Sequence, residues 1–282
     1  MILVFGQSGQ VARALALLAP EAVCLGRDKA DLADPAACAA AIRAHAPRAV
    51  INAAAFTAVD GAEAQEALAT TINGAAPAAM ATACAGLDIP LVHLSTDYVF
   101  DGAGQTPFAP DHPTAPLNAY GRSKVRGEEG VRAASFRHVI LRTSWVFSAH
   151  GSNFVKTMLR LGAARDSLQV VADQIGGPTP ARAIAAACLR MAEVLQDAPA
   201  LSGTYHFAGT PDTSWADFAR AIMAEAGLGC RIDDIRTEDY PTPARRPGNS
   251  RLDCAALARF GITRPDWRQG LRAVIADMKG TS

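Results

Sequence analysis

Several familiar signatures are missing from this chain, and each absence removes a class of function. Charged residues make up 19% of its 282 residues, and acids and bases cancel to a formal net charge of zero. No bulk field therefore draws it to nucleic acid or to a charged membrane surface. There is no C-x-x-C pair. Cys24, Cys38, Cys84, Cys188, Cys230 and Cys254 are scattered, as are the six histidines. No metal site is predicted, and the cysteines read as reduced core thiols of a cytoplasmic protein. No apolar run is long enough to cross a bilayer. The first residues, Met1-Ile2-Leu3-Val4-Phe5, read as a strand with no basic segment before it, unlike a signal peptide. Internal repeats are absent, and the only compositional bias is towards alanine.

What is present is a hydrophobic half of the chain arranged in alternating short segments. Strands are predicted at 2–5, 22–25, 49–52, 91–95 and 138–142. Helices are predicted at 10–18, from Pro35 to about His45 behind an Asp34 cap, at 62–85 with Pro77 near a helix start, and at 120–134. Short apolar strands separated by helices imply a parallel sheet covered on both faces. The predicted fold class is α/β, a Rossmann-type doubly wound parallel sheet with a smaller C-terminal substrate-binding lobe. The division falls at residues 1–150 for the dinucleotide-binding domain and 151–282 for the lobe, with later segments interleaving. In the lobe, helices are expected at 153–164 and up to about 196, strands at 168–171 and 205–207, and a proline-broken loop at 239–250.

Four motifs carry chemistry. Gly6, Gly9 and Ala12 space small residues through the turn after the first strand, ahead of Gln10 and Val11. Such a turn lets the backbone approach a pyrophosphate at a helix N-terminus. After the second strand comes Arg27, suited to the 2′-phosphate of NADP, although Asp28 is adjacent and a surface charge would look the same. This favours NADPH, with NADH as the alternative. Asp31 and Leu32 follow as candidates for the adenine, and Ala53, Ala54, Ala55, Phe56 and Thr57 line the exit of the third strand. Thr96, at the end of the fourth strand, can hold a substrate oxygen, with Asp97 beside it.

The fourth motif is Tyr120-Gly121-Arg122-Ser123-Lys124. Residues four apart share a helix face. A lysine there favours the phenolate and is expected to lower the tyrosine's pKa, giving a general acid usable near neutrality. Alone this spacing is a weak signal; with the other three it is not.

Together these residues resemble the extended short-chain dehydrogenase/reductase superfamily and, within it, the dTDP-4-dehydrorhamnose reductase family. The resemblance runs through Gly6–Val11, 52–60, 95–100, Tyr120 with Lys124, 142–147, Asn153-Phe154, 173–179 and 246–250. It implies reduction of the C4 ketone of dTDP-4-dehydro-L-rhamnose by NAD(P)H. Tyr120 would be proton donor, with Lys124 and Thr96 as the other catalytic residues. Sugar-nucleotide dehydratases carry Thr-Asp-Glu where this chain has Thr96-Asp97-Tyr98, so the carboxylate of elimination is absent. The resemblance implies Thr96, Asp97 and Trp145 on the dTDP-sugar and Arg246 at its diphosphate, with Asn153 and Asn249 either hydrogen-bonding the substrate or bracing a turn. Some relatives dimerise around Mg2+ using an acid on the first helix. Here that helix, 10–18, has none, so the resemblance lends magnesium no support. A monomer or homodimer is expected, with no nucleic-acid or membrane partner. The alternatives are a non-catalytic regulatory subunit and a reductase or epimerase of another nucleotide sugar.

Overall fold

The computed structural model describes residues 1–134 and 137–280. The first half runs β1 (Ile2–Phe5), α1 (Gln10–Leu18), β2 (Val23–Leu25), α2 (Pro35–His45), β3 (Ala49–Asn52), α3 (Val59–Ala64), α4 (Glu66–Thr70), α5 (Ala76–Gly86), β4 (Leu91–Thr96), α6 (Ala119–Ala134) and β5 (His138–Thr143). The chain continues through β6 (Val146–Phe147), α7 (Phe154–Gly162), β7 (Ser167–Val171), β8 (Ile175–Gly176), β9 (Thr179–Pro180), α8 (Ala181–Asp197) and β10 (Gly203–Phe207). It ends with β11 (Thr213–Ser214), α9 (Trp215–Ala226), β12 (Arg231–Ile235), β13 (Asn249–Ser250) and α10 (Trp267–Gly280).

The central sheet has six parallel strands in the order β10-β5-β4-β3-β1-β2. Every residue of β1, β3 and β5 is buried, because helices cover both faces. One face packs with α1 and α8 around Leu15, Ile184 and Met191. The other packs with α2 and α5 around Ile42 and Met80. Asp34 caps α2 by accepting from the Ala37 N–H, with Pro35 in its first turn. Residues 181–207 return to the sheet, α8 as a covering helix and β10 as its edge strand against β5.

The remaining C-terminal segments build a second core around Met158, Leu168, Phe218, Ile222, Trp267 and Leu271. Its framework is the parallel pair β7–β12 with α7, α9 and α10. The sequence pattern does not predict α9, β12 or α10. β12 reads Arg-Ile-Asp-Asp-Ile, and its polar residues hide the strand. The predicted loop at 239–250 ends in β13, which pairs in parallel with β8.

The helix expected over 62–85 is broken. It begins at Val59, breaks at Gln65 and passes through a π-turn over Thr71–Ala75 before α5. Pro77 has no N–H to give to the Asn73 carbonyl four residues back, so the turn widens there. That freed carbonyl lies against Gly127 of α6, where any Cβ would collide with it. Gly121, in the same helix, is similarly closed over by the Tyr98 carbonyl. Two glycines thus let the helix bearing Tyr120 and Lys124 lie close against its neighbours.

Candidate active site

A cleft of about 1120 Å³ opens at the carboxyl ends of the central strands and is closed on its far side by the lobe. Its floor is the turn from β1 to α1. Gly6 has φ +121°, and a side chain there would press on Ala12 and on the Ala53 backbone. At Gly9 an added Cβ would meet nothing within 4 Å. Gly9 is the N-cap of α1 without a side-chain cap, and the first turn carries no acid. Free N–H groups and the positive helix end therefore face the cleft, a fit for a pyrophosphate. Val11, Asp31, Leu32 and residues 53–57 line the adjoining wall, with exposed Arg27 at its rim. At Gly26 a Cβ would meet Gln7 Oε1 at 2.5 Å and Asp28 Oδ1 at 2.6 Å, the mobile ends of two side chains that fold over the strand end. Gln10 also lines the cleft, but its amide is committed to Val146 O, Ser148 and Asn153.

At the other end stand Thr96, Asp97, Tyr120 and Lys124. The α6 N-terminus that carries the last two is fixed by Asn118, which accepts from the Gly121 N–H at 2.8 Å. Glu63 accepts from the Ala119 N–H at 2.8 Å. The expectation that Lys124 lowers the Tyr120 pKa is not met. Burial raises Tyr120 above the ordinary phenol range, the Thr96 hydroxyl opposes that by hydrogen bonding, and Asp97 adds to it. The Lys124 ammonium is directed elsewhere. Its Nζ donates to Leu94 O at 2.6 Å and lies 3.4 Å from His93 Nε2. Burial lowers the Lys124 pKa to about 8, against the pull of Glu128.

The Thr96 hydroxyl is shared: it hydrogen-bonds with Tyr120 and with Asp97 Oδ1 at 3.0 Å, while its oxygen accepts from the Tyr98 N–H at 3.2 Å. Asp97 is 3% exposed, and burial raises its pKa to about 6. Its Oδ2 makes no hydrogen bond by geometry, although the nearby Ser250 hydroxyl pulls the pKa back down. Thr143 Oγ1, also at the cleft, is buried and unpartnered. Unsatisfied buried polar atoms at a cleft leave hydrogen-bonding capacity for a ligand.

An aromatic wall closes the lobe side. Trp145 stacks on Trp215 with ring centroids 3.6 Å apart and planes 11° apart. Trp145 has φ +50°, a left-handed conformation rare for a bulky residue, and Gly176 lies under its ring. Trp215 is not among the predicted residues. The available signal was the helix start Ser214-Trp215-Ala216-Asp217, in which Ser214 accepts from the Asp217 N–H at 2.9 Å. Tyr98 and the buried His93 are likewise absent from the predicted set.

Three predicted substrate residues do not line the cleft. Asn153 caps α7 and braces the 148–150 turn through Ser148 O and His150 O. Asn249 is buried and holds Ala103 O and Thr106 O. Arg246 pairs with Asp60 at 2.7 Å and approaches Tyr98, leaving its Nη1 buried without a partner. Backbone carbonyls take up the two asparagine amides, and Asp60 takes up one arm of Arg246. Among the described residues no group of three or more His, Cys, Asp or Glu converges on one point, and no helix is long and apolar enough to cross a membrane.

Comparison with known proteins follows the same lines. The model of the RmlD substrate binding domain matches residues 1–279. The chain is 45% identical to the dTDP-4-dehydrorhamnose reductase of Sinorhizobium fredii, covering 96% of this chain and 95% of the relative. It is 44% identical to that of Burkholderia thailandensis, covering 98% of each. Among solved structures, the Bacillus anthracis dTDP-4-dehydrorhamnose reductase in complex with NADP superposes with a TM-score of 0.92. The two share 33% identity, with 98% of each chain covered.

Proposed function

The chain belongs to the RmlD substrate binding domain family, and from that premise we propose that it is an NAD(P)H-dependent oxidoreductase converting dTDP-4-dehydro-L-rhamnose to dTDP-L-rhamnose. The observation that carries the reading is the meeting of Thr96, Tyr120 and Lys124 in one cleft with a phosphate-binding helix end. A reduced nicotinamide dinucleotide supplies the hydride. Gly6, Gly9 and Val11 would hold its pyrophosphate, Asp31 and Leu32 its adenine, and residues 53–57 its flat face. The raised Tyr120 pKa keeps its phenol protonated, as a proton donor to a forming C4 alkoxide must be. Lys124 would donate a hydrogen bond to the nicotinamide ribose from its ammonium form, below its lowered pKa of about 8. Thr96 becomes a donor to the ketone when its proton turns from Asp97.

Trp145 and Trp215 form the wall against which the hexose would sit, and Asp97 flanks its C4 side. Arg27, the first charge beyond β2, supports a preference for NADPH. α1 carries no carboxylate to share in a bridging magnesium site, so we assign magnesium no part. All six cysteines are free thiols, in keeping with a reducing cytoplasm. The direct test is loss of reduced-nicotinamide absorbance with dTDP-4-dehydro-L-rhamnose, run with NADPH and NADH. Oxidation yielding dTDP-L-rhamnose, faster with NADPH, is the expected result. Oxidation with a GDP- or UDP-sugar instead would overturn the substrate assignment.

A further inference from the structure

Three elements converge behind the active-site lysine: β3 through Asn52, β4 through His93 and α6 through Lys124. His93 is fully enclosed, and the proposed reduction makes no use of it. Both of its ring nitrogens have partners. Nδ1 lies 3.1 Å from Asn52 Nδ2, and Nε2 lies 3.4 Å from Lys124 Nζ. A further contact sets the Asn52 amide. The Ala54 backbone N–H donates to Asn52 Oδ1 at 3.2 Å, so the oxygen faces Ala54 and the nitrogen faces the ring. An amide nitrogen only donates, which makes His93 Nδ1 the acceptor. In the neutral ring the proton is then on Nε2, directed at Lys124. An ammonium has three donors and no acceptor, whereas an amine has a lone pair to receive that proton.

We propose that Asn52 fixes His93 as its Nε2–H tautomer, and that His93 acts as a positioning residue that biases Lys124 towards the uncharged amine. The proposal rests on the reading of Lys124 as the active-site lysine. The surroundings agree with it. Burial and the neighbouring Lys124 hold the His93 pKa well below its usual value, so the ring stays neutral. On α6, Glu128 pulls Lys124 the other way, towards the ammonium, and Tyr120 lies one turn before it. From β4, Leu94 O accepts one Nζ proton in either charge state. From β3 the facing polar group is the Asn52 amide. Gly127 lets α6 pack closely beside His93, since a Cβ there would collide with the Asn73 carbonyl oxygen. The lysine therefore changes charge in mildly alkaline solution, and turnover should fall as pH rises through that range.

The test uses the whole 15N-labelled chain. Long-range 1H–15N correlation spectra separate bare from protonated ring nitrogens, and the resonances lost in His93→Gln identify the residue among the six histidines. A bare Nδ1 and a protonated Nε2 are expected. A protonated Nδ1 with a bare Nε2 would overturn the proposal, because Lys124 would then be the donor. Asn52→Asp places an acceptor opposite Nδ1 and should reverse the tautomer. In that variant the alkaline limb of turnover should move up by about one pH unit. An unreversed tautomer or an unmoved limb in the folded variant would also count against it. The wild-type spectrum needs neither substrate nor turnover, so it can fail while the reductase reading stands, and the reverse.

Discussion

Glu128 in α6 and Asp97 just beyond β4 are carboxylates with almost no solvent contact, yet their surroundings differ in kind. Glu128 accepts from Ser95 Oγ at 2.6 Å and pairs with Arg142 at 2.6 Å, with Arg132 as a second cation. Those partners outweigh burial and hold its pKa below the usual carboxylate range. Asp97 has the Thr96 and Ser250 hydroxyls, backbone contacts and no cation, and burial raises its pKa to about 6. The signs of their contributions to stability are opposite. Glu128, with a depressed pKa, stabilises the fold above the unfolded carboxylate range and loses that effect as pH falls. Asp97, with a raised pKa, opposes folding increasingly as pH rises from about 4 through 6. A buried charge with its partners in place anchors α6 to β5. One left short of partners lies on the cleft, where a ligand can complete it.

The comparison can be broken at its ends. Tyr120→Phe, on the cleft side, should lower turnover by about 10²–10⁴-fold while cofactor binding and thermal unfolding stay as they were. Retained turnover in a steady-state assay would remove the proton donor from the reading. Glu128→Gln should show the reverse profile. It leaves Arg142 buried without its counter-charge, and chemical denaturation should record a loss of about 3–5 kcal/mol. Asp97→Asn removes an opposing charge and should add on the order of 2 kcal/mol at pH 8 and nothing near pH 4. Equal effects at the two pH values would mean that charge is not the cause. The smallest effect is at the rim: Arg27→Ala should cut the preference for NADPH over NADH about tenfold, the worth of one charge-assisted hydrogen bond. An unchanged ratio of the two KM values would return Arg27 to a plain surface role.

The central strands and the cleft at their carboxyl ends were legible because period, length and turn residues all agreed over β1 to β5. The cleft wall was legible for the same reason, since Gly6, Gly9, residues 53–57 and Thr96 lie at strand ends, and Tyr120 and Lys124 share one face of α6. What escaped depends on contacts distant in sequence. Trp215 reaches Trp145 across 70 positions, and His93 reads as an ordinary core residue until Asn52 and Lys124 are set beside it. Arg246 has the chemistry of a diphosphate ligand, but Asp60, 186 residues earlier, holds its Nη2. The direction of the Tyr120 shift was misjudged because spacing reveals the neighbour and not the depth of burial.

The tryptophan stack has an optical consequence. The chain contains three tryptophans, and Trp267 is sealed in the lobe core while the other two line the cleft. Two indoles 3.6 Å apart couple in the excited state, so a circular-dichroism couplet is expected from the pair and should vanish when the rings part. Their emission also overlaps the absorbance of reduced nicotinamide. The protein thus carries its own unlabelled reporter, one channel reading the separation of lobe and sheet and the other reading energy transfer to a dinucleotide in the cleft.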